Sequence, residues 1–129
     1  MNNYRKGKGL SILQCHWALV QTAIVHTKNQ INKYVPHNVC NLHSWLSNKH
    51  LGKNGKACCY PSNHSNPKCS WKKPEEVTGW KPKRGSGYEI STWSWNSFEK
   101  NSMTPDQAIN SWNSSPGHNE MMAPSGQME

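Results

Sequence analysis

The sequence predicts one small domain of the α+β class, and three observations lay out its helices and its loop. Apolar side chains recur at helical spacing from Leu10 to Tyr34. A second helix is announced at Thr104, where Gln107 completes a Thr-x-x-Gln capping box and Pro105 occupies the first helical position. Between the two lies a stretch crowded with cysteine, glycine, proline and lysine, which reads as a tied loop rather than as regular structure. The β component rests on motif similarity and not on periodicity. With 129 residues the chain has room for one domain and a modest core.

Taken in order, residues 1–9 are polar and basic and read as a flexible leader ahead of a domain at 10–129. Leu10, Leu13, Trp17, Val20, Ile24 and Ile31 then follow in steps of three, four and seven. That spacing predicts an amphipathic helix of about six turns, closed by Pro36, with the apolar stripe carrying most of the core. His26 lies near the stripe and reads as a helix histidine partly covered by packing. Val39 to Leu46 is a second short ordered segment that holds Cys40 and presents His43. Residues 47–85 read as the cysteine-rich loop. Gly87 to Trp95 suits a short helix or strand, with Tyr88, Ile90, Trp93 and Trp95 for bulk, and Asn96 to Met103 connects it to the capped helix. That helix carries Ala108, Ile109 and Trp112 on one face. It is expected to stop at Ser115-Pro116-Gly117, leaving His118 on a tight corner.

The net charge of +8 is unevenly spread: residues 1–74 hold eleven Lys or Arg and no acidic side chain. Such a half favours anionic partners: nucleic acid, anionic lipid or acidic glycans. No apolar run approaches the roughly 20 residues that cross a membrane, and no basic-then-apolar leader is visible. Of the five cysteines, Cys40, Cys58, Cys59 and Cys69 read, in a secreted domain, as two disulfides stapling the loop. Neighbours Cys58 and Cys59 do not suit a bond with each other, so each pairs with Cys40 or Cys69, in either arrangement. Cys15 is left over.

Three segments carry a family resemblance. Trp112-x-x-Ser115-Pro116-Gly117-His118-Asn119-x-Met121-Met122, Cys40-Asn41-Leu42-His43-Ser44 and Gly87-Tyr88-Glu89-Ile90-Ser91 resemble, in the family's order, motifs of the CAP superfamily of cysteine-rich secretory, antigen-5-like and pathogenesis-related proteins. The resemblance spans about residues 10 to 122 and implies an α-β-α sandwich with an insertion at about 47–85. It implies that the Glu89 segment opens a helix, and that Met121 and Met122 begin a strand whose partners lie beyond Glu129, so that the chain reads as a fragment of marginal stability. It also implies a cleft lined by His43, Glu89 and His118, with Ser115 standing where the family has a second glutamate.

Two imidazoles and one carboxylate can hold a divalent ion, zinc above others, and leave a position for water or ligand. The reading that follows is a secreted binding or signalling module, taking a small apolar or lipid-like ligand or an extracellular protein, rather than an enzyme. Two other classes compete. The same cleft could serve a metal-dependent hydrolase through a metal-bound water. Cys59-x4-His64-x4-Cys69 matches the second half of a zinc knuckle that grips single-stranded nucleic acid. Its first half fails, because Lys56 occupies the position that needs cysteine, and the nucleic-acid reading ranks below the others.

Overall fold

A computed structural model describes residues 1–31, 39–47, 49–83, 87–92 and 103–126. Of these, 47% are helical and none lies in a strand. The expected α-β-α sandwich is therefore not the fold. The nearest thing to a sheet is one antiparallel bridge between Trp45 and Cys58, with N···O distances of 2.9 Å in both directions. The helices are α1 (Asn2–Gly7), α2 (Trp17–Gln30), α3 (Lys68–Trp71), α4 (Lys73–Thr78), α5 (Pro105–Asn113) and α6 (Pro116–Met122), with a 3-10 turn at Lys49–Leu51. The chain divides into two compact units, Cys15–Glu89 and Met1–Gln14 with Ile90–Glu129.

In the unit Cys15–Glu89, α2 is shorter than the expected helix and turned the other way. It starts at Trp17, after His16 in an extended conformation. The expected C-terminal end at Tyr34 and Pro36 lies outside the described residues. From Trp17 onward the stripe read as the core face is exposed, with Trp17 60% accessible and Val20, Ile24 and Ile31 exposed as well, whereas its first member, Leu10, is buried. The buried face is instead Ala18, Thr22, His26 and Asn29, at steps of four, four and three. This face can be buried because its polar atoms are paired. The Thr22 hydroxyl donates to the Ala18 carbonyl at 2.7 Å. Asn29, fully buried, donates its amide to the Leu46 carbonyl at 2.9 Å and accepts the Leu46 N–H at 2.8 Å, so one side chain serves Leu46 as a strand neighbour would.

The loop read as irregular contains α3, α4 and the 3-10 turn. Pro74 sits in the first turn of α4 and Gly79 ends it with φ 76°, a left-handed angle that glycine adopts without penalty. α4 packs on α2 and α3, and the 3-10 turn packs on α2. The core gathers Trp45, Leu51 and Cys69, with Val25, Cys58, Tyr60 and Val77 against them. Trp45 stacks on the His26 ring at 4.3 Å between centroids. On Trp45 also sits the ammonium of Lys73, 5.4 Å from the ring centroid. Lys73 is itself buried, bonded to Glu76 Oε2 at 2.5 Å and to the Lys56 carbonyl. A buried ammonium held by carboxylate, carbonyl and ring faces is matched by charge and hydrogen bonds rather than left bare.

Two disulfides, Cys40–Cys59 and Cys58–Cys69, resolve the pairing that the sequence left open. The Trp45–Cys58 bridge explains the choice. Consecutive side chains of an extended segment point to opposite sides. With Cys58 directed to Cys69 in the core, Cys59 faces away from it and reaches Cys40. Cys15 is free and exposed.

The unit Met1–Gln14 with Ile90–Glu129 is built on α1, α5 and α6. Part of the expected leader is thus a helix. Its Arg5 is buried and donates to the Met122 carbonyl at 2.6 Å and to the Ser11 carbonyl at 2.9 Å, which caps the end of α6 with a cation. Tyr4 places its hydroxyl 2.6 Å from the Asn113 side chain and 2.5 Å from that of Asn119. Asn2 clamps the backbone of Leu13 as Asn29 clamps Leu46, at 2.9 and 3.0 Å. With its N–H and C=O so engaged, Leu13 stays outside any helix, one reason the expected helix does not reach back to Leu10. The Thr104–Gln107 capping box forms, at 3.2 and 2.8 Å. α5 stops at Asn113, just before the expected Ser115-Pro116-Gly117, but Pro116 then opens α6, because its fixed φ suits a first helical position. His118 therefore sits in a helix rather than on a corner, and Met121 and Met122 close α6 instead of opening a strand. Gly87 to Thr92 is neither helix nor strand, so the expected helix at Glu89 does not form there. Trp93, Trp95 and nearly all of the expected connector at 96–103 lie outside the described residues.

Trp45 links the disulfide, His26 and Lys73, so its removal tests the core of the larger unit. Trp45→Ala is expected to cost about 3–5 kcal/mol in a denaturant titration. Trp45→Phe is expected to cost clearly less, because the indole Nε1 has no hydrogen-bond partner among the described residues and its loss removes a buried orphan donor.

Candidate functional site

The chemistry-bearing groups of the larger unit converge on Glu89. Its Oε1 accepts a hydrogen bond from His26 Nδ1 at 2.6 Å and its Oε2 accepts one from His43 Nδ1 at 2.8 Å. One carboxylate thus bridges two imidazoles. His26 arrives from the buried face of α2, His43 from the turn after Cys40, and Glu89 from the segment after Gly87.

Each ring is held on its far side as well. His26 Nε2 faces the Ser44 carbonyl at 3.0 Å, and the Gln30 amide donates to the same oxygen. The Gln30 amide also lies 3.3 Å from His26 Nε2, so both ring nitrogens of His26 have polar partners. His43 meets the Tyr60 ring edge-on at 5.4 Å, and its backbone N–H donates to the Asn41 side chain at 2.9 Å. Tyr60 continues the series through its hydroxyl, 3.1 Å from His64 Nδ1.

Burial by itself would raise the pKa of Glu89. The hydrogen bonds from His26 and His43, with the charge on those rings, outweigh it and hold the carboxyl below its ordinary value of 4.5. Ser44, adjacent to His43, is committed to structure: its hydroxyl accepts the Tyr60 N–H at 2.9 Å and reaches the Tyr60 carbonyl at 3.4 Å. A serine so engaged is not poised beside a base as a nucleophile.

Of the three residues expected to line one cleft, the structure joins two, His43 and Glu89. The third, His118, stands half-buried on α6 in the other unit, and the second histidine on Glu89 is His26. The sequence undervalued it because its neighbours in the apolar stripe pointed to the opposite face. The row Ala18, Thr22, His26, small and polar residues one helical turn apart, reads in sequence as a solvated face. No group of three or more His, Cys, Asp or Glu side chains among the described residues is placed to hold a metal ion. Cys59 and Cys69, the knuckle candidates, are each in a disulfide and His64 is exposed, so the zinc-knuckle alternative has no thiolates to work with.

Comparison of the chain with protein-family models, with curated proteins and with solved structures finds no match.

The bridge has a definite pH signature. A carboxyl with a depressed folded-state pKa adds stability that is fully present above its unfolded-state value and disappears as pH falls through the lower folded-state value. Unfolding free energy is therefore expected to drop as pH goes from 5 toward 3, and Glu89→Gln is expected to flatten that limb. An unchanged limb in Glu89→Gln, measured by denaturant titration at each pH, would show that Glu89 is not held by the two rings.

Proposed function

We propose that this chain is an extracellular binding module rather than a catalyst. The observation that carries the reading is the commitment of its reactive groups to scaffold. Four of the five cysteines are cross-linked, both oxygens of Glu89 are held by imidazoles, and the Ser44 hydroxyl is tied to the Tyr60 backbone. Groups fixed in this way make a rigid platform, which suits recognition. The segments around His43, Glu89 and His118 that resemble CAP motifs support the same kind of role, without that family's sandwich.

Disulfides persist in oxidising compartments, which supports secretion. A shallow pocket of about 140 Å³ offers one place for a small, partly apolar ligand: Val25, Leu51 and Val77 supply apolar lining, and His50, Lys53 and Glu76 supply polar groups. In the hydrolase alternative a divalent ion would have to displace at least one ring from Glu89, and the bridge opposes that.

The test is a thiol count on the unreduced chain together with metal analysis. One reactive thiol, assigned to Cys15 and reactive without denaturant because it is exposed, is the expected result, with less than stoichiometric zinc. Five thiols would remove the extracellular reading. One zinc per chain, lost in His43→Ala, would place the metal-dependent hydrolase above the binding module.

A further inference from the structure

The charge of this protein belongs to one unit. Cys15–Glu89 holds eleven Lys or Arg against three acidic residues, whereas Met1–Gln14 with Ile90–Glu129 holds four of each. The three acids of the basic unit are all engaged: Glu75 with Lys81 at 3.2 Å, Glu76 with Lys73 at 2.5 Å, and Glu89 with its two histidines. Its exposed lysines are thus left facing solvent in excess.

Several of these lysines share one ridge. Lys68 and Lys72 lie one helical turn apart, joined by a backbone bond of 3.4 Å, and Lys72 accepts the Glu76 N–H at 3.0 Å in the next turn. Glu76 in turn accepts the Lys56 N–H at 3.0 Å, so the segment holding Lys56 runs beside α4. Lys53 borders the same pocket as Glu76. Lys53, Lys56, Lys68 and Lys72 are all exposed. Of the two carboxylates beside them in α4, Glu76 is paired with the buried Lys73 and Glu75 with Lys81.

We propose that this ridge, Lys53, Lys56, Lys68 and Lys72, binds a linear sulfated glycan. Lys68 and Lys72, one helical turn apart, start from Cβ atoms about 6 Å from each other and present point charges to a chain carrying sulfates at regular intervals, and association releases counterions from the polyanion. The choice of glycan over nucleic acid rests on the extracellular reading given above. The disulfide Cys58–Cys69 ties down this end of the ridge, since Cys69 follows Lys68 in α3 and Lys72 is the C-cap of that helix.

The experiment is retention of the full, oxidised chain on immobilised heparin. Retention above about 0.15 M salt is expected, with the slope of log affinity against log salt falling by about two in Lys68→Ala/Lys72→Ala, one for each lost contact. Lys6→Ala/Lys8→Ala removes the same charge from the other unit and is expected to leave the slope unchanged. The proposal is overturned by no retention at 0.15 M, by an equal loss in both double variants, or by duplex DNA of similar length binding as tightly as heparin. The thiol count separates the two failures. Five reactive thiols remove the extracellular premise even if heparin is held, whereas lost retention with both disulfides intact removes only the glycan surface.

Discussion

A single carboxylate shared by two imidazoles joins three stretches of chain that are distant in sequence: the buried face of α2, the turn after Cys40 and the segment around Glu89. Much of the larger unit depends on that bridge. It turns α2 so that His26 faces inward, and it sets the His26 ring flat beneath Trp45. It also holds Ser44, through its carbonyl, against the same helix. Removing either histidine would leave a partly buried carboxylate half satisfied, which costs more than the bond itself contributes.

The same economy of polar contacts recurs where a sheet would otherwise be expected. Asn29 and Asn2 each offer donor and acceptor to one backbone residue and so replace a strand neighbour. Arg5 caps a helix end from the interior, and Lys73 crosses under a tryptophan to reach Glu76 and the Lys56 carbonyl. A chain with so few large aliphatic residues buries polar groups in pairs. Among the described residues the main core cluster has three buried members, Trp45, Leu51 and Cys69.

Local signals were legible in the sequence, and nonlocal ones were not. The capping box at Thr104 was readable because all its partners lie within four residues. So was the set of four cysteines that forms two disulfides, though not which cysteine pairs with which. The orientation of α2 was misread because amphipathic spacing reports which side chains are apolar, not which face has its polar atoms satisfied. Asn29 and His26 can be buried only because Leu46, Ser44 and Glu89 come to meet them, and no local pattern encodes that. The α+β expectation came from motif similarity. Short motifs fix a few side chains and leave the path of the backbone between them undetermined.

The adjacent cysteines make the length of their segment matter as much as its composition. Cys58 faces the core and Cys59 faces out because the segment is extended across from Trp45. Inserting one residue just before Cys58 would keep every side chain yet shift the register by one, exchanging which thiol meets Cys69 and which meets Cys40. Loops ordinarily tolerate such changes, since closing a slightly longer one costs little. This loop counts its residues in twos, and an insertion of two would be absorbed where an insertion of one would not.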